Sequence, residues 1–498
     1  LKRVLSLCAI LLPLCAMAQA ASDRVSAGGY YRIMARPDFQ GGFGKLGFWN
    51  LTGRLLNEGP FAALELKLDL LQAPPGSSDT WASIHARLEG GSVASADPSN
   101  GSLSLFRLAQ LYARAGNILL ENVTWQLGTL TYFYGDLGLY DLRPATLFGE
   151  TVGLSGTYHT GRFDLLLGVG DSGFAIRGIN YAPIFTGGGG VRVRLIAGHL
   201  EVGGGGQVNY EPFVDGDHFS SYVTPDVTYA EFLRKEVVKD IAANNPGRDP
   251  LDFLRPNAAS KPSISYLGVG YLGFGGFGPL QWDNFFISYR RRHPDNFYTE
   301  TFGGKDYTIY TADLTRERYQ LQLGNELQVT IWPGRLDAAL GLLYGDDTNT
   351  ANTLAADEDN RTYMSAVLRL QGYLTRSTHV LVEGGLGQEH SKNGNLWRDH
   401  FDSAFRVNAQ GLPDSRGFQN GDSATRTTMQ LKAGIVFNPT GLGIYARPSI
   451  RLLYGVQYSS AQAAFGNGFS TDLDQFNYFP GTEVHWHHVI SLESEGWF

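Results

Sequence analysis

The last ten residues, Val489–Phe498 (VISLESEGWF), alternate between an oily face and a charged one. Phe498, Leu492 and Ile490 fall on one side; Trp497, Glu495 and Glu493 fall on the other. Strand side chains repeat with a period of two, so this segment suits the wall of a membrane barrel, with lipid outside and water inside. An aromatic residue ending the chain is also typical of bacterial outer-membrane barrels.

The opposite end carries an export signal. Lys2 and Arg3 precede an apolar stretch from Leu5 to Met17, and Ala16, Ala18 and Ala20 have the spacing of a signal-peptidase site. Residues 1–20 are therefore expected to be removed, with 21–498 forming one barrel domain. Cys8 and Cys15 both lie in the signal, preceded by Leu7 and Leu14 and not by the small residue of a lipobox, so the mature chain has no thiol.

At 498 residues the length alone suggests about three soluble domains. Composition points elsewhere: Gly 63, Tyr 25 and Phe 29 are high, charged residues are only 18%, and no apolar run of helical membrane-spanning length follows the signal. Barrels escape hydropathy scans because only alternate residues are apolar, so a mean hydropathy of −0.16 is compatible with lipid as a partner. A net charge of −8 without a basic cluster excludes nucleic acid.

Turn-forming residues punctuate β-rich segments at His159–Arg162, Ala197–His199, Trp332–Arg335 and Asn438–Gly441. Longer polar stretches fall at roughly 91–105, 210–262, 345–361 and 390–427. Short periplasmic turns and long extracellular loops are the asymmetry of an antiparallel outer-membrane barrel. Some 478 mature residues at roughly 26 per strand and connection give about 18 strands, with 16 as the alternative. Residues 228–243 depart from the pattern: a Thr228/Glu231 capping box precedes Leu233, Val237 and Ile241 at helical spacing. They predict a loop helix, either packed over the wall or serving as a lid. The glycine runs 187–190 and 203–206 suit slim strand positions or flexible turns, with a subunit contact as the sharper alternative.

Gly29-Tyr30-Tyr31-Arg32, then Arg54-Leu55-Leu56-Asn57-Glu58 and Glu65-Leu66-Lys67-Leu68, resemble the first two strands of the maltoporin family. The resemblance continues at Phe106-Arg107 and in Leu119–Leu142, where Gly128, Asp136 and Asp141 keep the family's spacing, and returns at Ala446–Arg451 and Trp497. It covers roughly the first 155 residues and the last 55. It implies a trimeric carbohydrate channel in which aromatic rings stack on sugar faces and charged side chains exchange hydrogen bonds with hydroxyls. By that resemblance Tyr30 and Trp497 belong to an aromatic slide. Arg32, Arg54, Glu65, Arg107, Tyr134, Asp136, Asp141 and Arg143 belong to the polar track and constriction.

Strand alternation gives an independent check, since Tyr30 and Arg32 share one face and Tyr31 and Ile33 the other. For Tyr30 the alternative is an interfacial belt position, for Trp497 an assembly role, and for each charged residue simple solvation of the wall. The chain also departs from the family. Tyr134 stands where an arginine belongs and Arg143 where a tyrosine belongs; Ala63 and Leu374 replace slide aromatics; and 91–105 lacks a tryptophan for a neighbouring pore. Selectivity for maltodextrin is accordingly open, with a general diffusion porin as the alternative function.

Other constellations carry less. Asp346, Asp347, Asp357, Glu358 and Asp359 read as a solvated loop without EF-hand spacing, and His485, His487 and His488 as ordinary strand, so no metal is expected. There is no G-x-S-x-G and no H-E-x-x-H; Asp171-Ser172 and His159 lie near one another only in sequence. Neither an enzyme nor a cofactor is expected, and an adhesin using the long loops has no motif of its own. The partners expected are oligosaccharide solutes, outer-membrane lipid and two further copies of the chain.

Overall fold

The computed structural model describes residues 24–39, 44–46, 50–74, 77–90, 106–173, 184–211, 263–291, 297–302, 305–310, 318–349, 361–391, 425–460 and 486–498. The signal segment, the helix expected at 228–243, Asp357 to Asp359 and His485 lie outside them. In the described residues the chain forms β1 (Val25–Ala35), β2 (Phe61–Leu71), β3 (Trp81–Gly90), β4 (Phe106–Gly116), β5 (Val123–Phe133), β6 (Thr146–His159) and β7 (Phe163–Asp171). There follow β8 (Phe185–Ile196), β9 (Leu200–Glu211), β10 (Ser263–Phe277), β11 (Leu280–Arg291) and the small hairpin β12 (Phe297–Phe302) and β13 (Lys305–Tyr310). The last seven are β14 (Arg318–Trp332), β15 (Leu336–Asn349), β16 (Arg361–Tyr373), β17 (Thr378–Ser391), β18 (Thr425–Phe437), β19 (Ser449–Ser459) and β20 (Trp486–Trp497).

Apart from the hairpin, which pairs only with itself, the strands form one 18-stranded antiparallel sheet, as the residue arithmetic expects. It closes where β1 meets β20, with Tyr30 opposite Trp497 and Ala35 opposite Leu492. Gly29 N–H donates to the Phe498 carbonyl at 2.9 Å and Phe498 N–H returns the bond at 3.1 Å. Closure leaves no unpaired edge, the condition for backbone to lie in hydrocarbon.

The polarity is inverted relative to a water-soluble protein. On β18–β20 the apolar Leu431, Ile435, Ile450, Leu452, Ile490 and Leu492 point outward and are exposed, while Gln430, Lys432, Arg451, Glu493 and Glu495 point inward and are buried. Charges gain nothing from enclosure and oils nothing from exposure unless the solvent outside is lipid. This is a bacterial outer-membrane barrel. Tyr30 and Arg32 face its interior and Ile33 its outside, as alternation requires, so Tyr30 is not an interfacial belt aromatic.

Three of the four expected short turns, after β6, β8 and β14, join adjacent strands directly. The fourth differs: residues 438–448 connect β18 to β19 and fold inward, where Tyr445 packs against the interior apolar cluster. Two further connections enter the lumen. The first strap, described at 36–39, 44–46 and 50–60, carries a turn of 3-10 helix at Asn50–Thr52; the second, 134–145, follows β5. Arg54 N–H donates to the Leu139 carbonyl at 2.8 Å, joining the straps.

The second strap turns the barrel interior into a partial core. Leu137, Leu139 and Tyr140, with Leu147 and Phe148 at the start of β6, pack with Tyr271, Phe286, Tyr363 and Val367 of the wall. Wall glycines make room for it. A Cβ on Gly190 would lie 2.1 Å from the Tyr134 hydroxyl, one on Gly203 2.5 Å from its ring, and one on Gly205 2.7 Å from Leu147. The glycine runs are thus slim strand positions facing each other across β8 and β9, and their interior faces seat the strap. Replacing Gly190 with Val should destabilise the barrel by about 1–3 kcal/mol through overpacking. Gly384→Ala, where the added Cβ meets nothing within 4 Å, should be nearly neutral. Equilibrium urea unfolding in lipid vesicles checks both, and equal midpoints for the two would remove the seating role.

Candidate functional site

The strap crowds one side of the barrel, and open space remains mainly against β1–β5 and β20, reaching Asn284 of β11 and Glu326 and Gln328 of β14. Among the described residues this space includes two cavities, one of about 590 Å³ and one of about 630 Å³, which share Arg87, Arg143 and Trp497 in their linings. The first, nearer the loops, is lined by Tyr30, Arg32, Arg54, Phe61, Glu89, Arg107, Asp136, Asp141 and Arg447 among others. The second extends toward the short turns and takes in Glu65, Lys67, His85, Tyr112 and Arg114.

Aromatic residues gather at the junction. The Trp497 ring sits 4.6 Å from that of Tyr30, tilted by 50°, and Phe61 lies 6.0 Å beyond on the other side of Tyr30. Trp497 keeps 59% of its surface exposed within the lumen, whereas Tyr30 is buried beneath it with its hydroxyl donated to Glu495. Phe61 was not expected. Ala63 lacks the ring that the maltoporin pattern places there, but Phe61 is two residues away on the same strand face and supplies one.

The charged residues divide by burial. Glu495 receives Arg54, Arg447 at 2.8 Å and Arg451 at 2.5 Å, besides Tyr30. Arg32 pairs with Glu58, and its Nε donates to the Gly59 carbonyl at 2.8 Å. Arg36 meets Glu493 at 2.6 Å. Deeper still, Glu383 accepts from Arg369 Nε at 2.7 Å and Lys432 at 2.9 Å, while Lys432 also donates to the Thr52 carbonyl at 3.0 Å and so ties down the first strap. A buried carboxylate is tolerable only when paired and hydrogen-bonded in this way. By contrast Arg107 is 80% exposed, bonded to Glu89 at 3.0 Å; Arg87 spans Glu65 at 3.1 Å and Glu89 at 3.3 Å; and Arg143 lies 4.3 Å over the Phe133 ring.

The expected site residues are therefore brought together, except one. Tyr134 does not line either cavity; it is 1% exposed, and its hydroxyl donates to the Gly204 carbonyl at 2.7 Å. The ring prefers the apolar seat offered by the glycines, while Arg143, carrying a charge, stays with the water. Arg54 sits on the first strap, with β2 beginning only at Phe61. Glu58, Arg87, Glu89, Arg114, Glu326, Arg447 and Glu495 were not singled out as site residues.

His159 and Ser172 do not meet. His159 pairs with Asp164 at one end of β7 and Asp171 lies seven residues along at the other, roughly 23 Å away at strand rise. Ser172 bonds instead to Thr151 at 2.8 Å and Thr186 at 2.7 Å. His487 is buried against Asp38 at 2.8 Å, while His488 points outward to Tyr454, so the two histidines share no site. Asp347 faces inward, 3.9 Å from Arg361.

No protein-family model and no curated protein matches the chain. Among solved structures, the outer membrane protein opdK from Pseudomonas aeruginosa is similar at 9% identity over 95% of this chain and 98% of its own, with a TM-score of 0.41. The outer membrane channel DcaP of Acinetobacter baumannii is 12% identical over 74% of this chain and 91% of its own, with a TM-score of 0.40. OmpT of Vibrio cholerae is 10% identical over 95% and 97%, with a TM-score of 0.35.

The straps meet at two carboxyls. Burial pushes Glu58 up to about 7 against the pull of Arg32 and Arg54, with Asp141 adding to the push. Asp141 is pushed up by burial too, but Arg54, a hydrogen bond with Glu58 and Arg32 outweigh this and hold it below the ordinary range. The proton of the pair thus sits on Glu58. A carboxyl whose folded pKa is raised binds protons more tightly in the native state, so its support for the arrangement is full below the ordinary value of 4.5 and is lost as pH rises from there through about 7. Single-channel conductance should shift between about pH 6 and 8 and stay flat in Glu58→Gln; a variant that shifts like the wild type would release Glu58 from this role.

Proposed function

We propose that this protein is a passive outer-membrane channel for carbohydrates, working as a homotrimer and catalysing no reaction. The observation that carries the proposal is Trp497: a largely exposed indole inside a polar lumen, backed by Tyr30 and placed where the two cavities join. A ring left open to a water-filled lumen is available for a solute with an apolar face to stack on, and gains by shedding that water. A pyranose offers such a face, and its hydroxyls find Arg107, Asp136, Asp141 and Arg143 around the same space. This supports the aromatic slide and polar track of the maltoporin-like resemblance, with Phe61 in place of the ring missing at Ala63. The trimer rests on that resemblance alone.

A general diffusion porin is the second reading. The exposed ion pairs of Arg87 with Glu65 and Glu89, and of Arg107 with Glu89, line the same water and serve passing ions equally well. The two readings separate on saturation. Purified protein in planar bilayers should show ion current that maltooligosaccharides block saturably. Trp497→Ala should weaken that block roughly three- to tenfold, the worth of one aromatic stack, while ion conductance persists. Current that no saccharide blocks at any concentration favours the general porin.

A further inference from the structure

The cavity on the turn side of Trp497 is unevenly charged. Lys67, Arg87, Arg114 and Arg143 line it with His85, against Glu65 as the one carboxylate among its lining residues. Pairing removes part of the surplus: Lys67 meets Asp69 at 2.8 Å, and Arg87 meets Glu65 and Glu89. Arg114 and Arg143 are different. Arg114 Nε donates to the neutral Gln126 amide oxygen at 2.8 Å and its guanidinium lies 4.9 Å over Tyr112. Arg143 stacks on Phe133, with Asp141 two residues before it on the same strap. Neither forms an ion pair within the described residues.

A stacked guanidinium keeps its in-plane N–H donors directed at whatever shares the cavity, the geometry that suits a carboxylate or a similar planar anion. Resting on the carbohydrate reading above, we infer that the preferred solute is an anionic saccharide, an oligomer carrying ring carboxylates, with Trp497 stacking one pyranose while Arg114 and Arg143 bind the carboxylates. Neutral sugars meet the same ring without the two charges. The same surplus makes the channel prefer chloride to potassium.

The test uses the full-length protein in planar bilayers with trigalacturonate and maltotriose as blockers. Trigalacturonate should half-block the current at roughly tenfold lower concentration than maltotriose, the effect of charge-assisted bonds. Joint Arg114→Gln and Arg143→Gln substitution should erase the advantage of trigalacturonate over maltotriose when both are measured on that variant, and Lys at both positions should restore the advantage in part. On the unaltered protein, raising KCl from about 0.1 to about 1 M should weaken trigalacturonate block alone, because screening acts on charge. Equal or stronger block by maltotriose overturns the inference and leaves the carbohydrate reading standing. Conductance that neither compound blocks overturns the carbohydrate reading itself, and the inference with it.

Discussion

The Glu495 carboxylate holds the working parts of this barrel in one place. It belongs to the last strand, yet it gathers Tyr30 of the first strand, Arg54 of the first strap, Arg447 of the inward-folded connection after β18, and Arg451 of β19. Three cations around one anion would repel if the anion were lost. The strand that closes the sheet therefore also positions the strap, and the ring of Tyr30, anchored through its hydroxyl, is what Trp497 leans upon. Each of these groups is nearly dry, so the attraction is weakly screened, and removing one member of such a buried set costs about 3–5 kcal/mol.

An 18-stranded barrel is wider than side chains alone can fill. Here the width is used asymmetrically. Leu137, Leu139, Tyr140 and Phe148 build an apolar core against β6–β16, stripping water from that half, and the glycines of β8 and β9 let it settle close to the wall. What stays open lies mainly along β1–β5 and β20, with the loop-side cavity reaching across to Asn284 of β11 and Glu326 and Gln328 of β14. A solute crossing it touches Trp497 and Arg143 whichever cavity it enters first.

Much of this was legible in the sequence because a strand's period of two is strict. Alternation alone put Tyr30, Arg32, Glu493, Glu495 and Trp497 inside. It failed where the period is interrupted. Between Arg87 and Leu88 the pairing of β3 with β4 shifts register: Arg87 faces Gln110 and Leu88 faces Leu108, so β4 carries an extra residue. Counting in twos from Arg107 turns Tyr112 and Arg114 outward; the bulge brings them in. The straps were opaque for another reason. Residues 36–60 and 134–145 have no periodicity to read, and their course depends on partners far along the chain, such as Glu326 accepting the Leu139 N–H at 2.8 Å. Tyr134 was misplaced because its seat is made by Gly190 and Gly203, both far along the chain, and a run of glycine announces nothing about what will rest on it.

Burial sorts the charges of the lumen into two jobs that sequence spacing cannot distinguish. Arg32, Arg54, Arg369, Lys432, Glu383 and Glu495 are enclosed and committed to one another, so their energy goes into holding the straps and little is left for a solute. Arg107 and Arg143 are not enclosed in this way: one is mostly exposed, the other rests on a phenyl ring at the junction of the cavities. Water already solvates their donors, so a passing hydroxyl or carboxylate exchanges with water at small cost in either direction. A channel needs this second kind of charge at its surface, since a site that held solute as tightly as Glu495 holds its arginines would not let it leave.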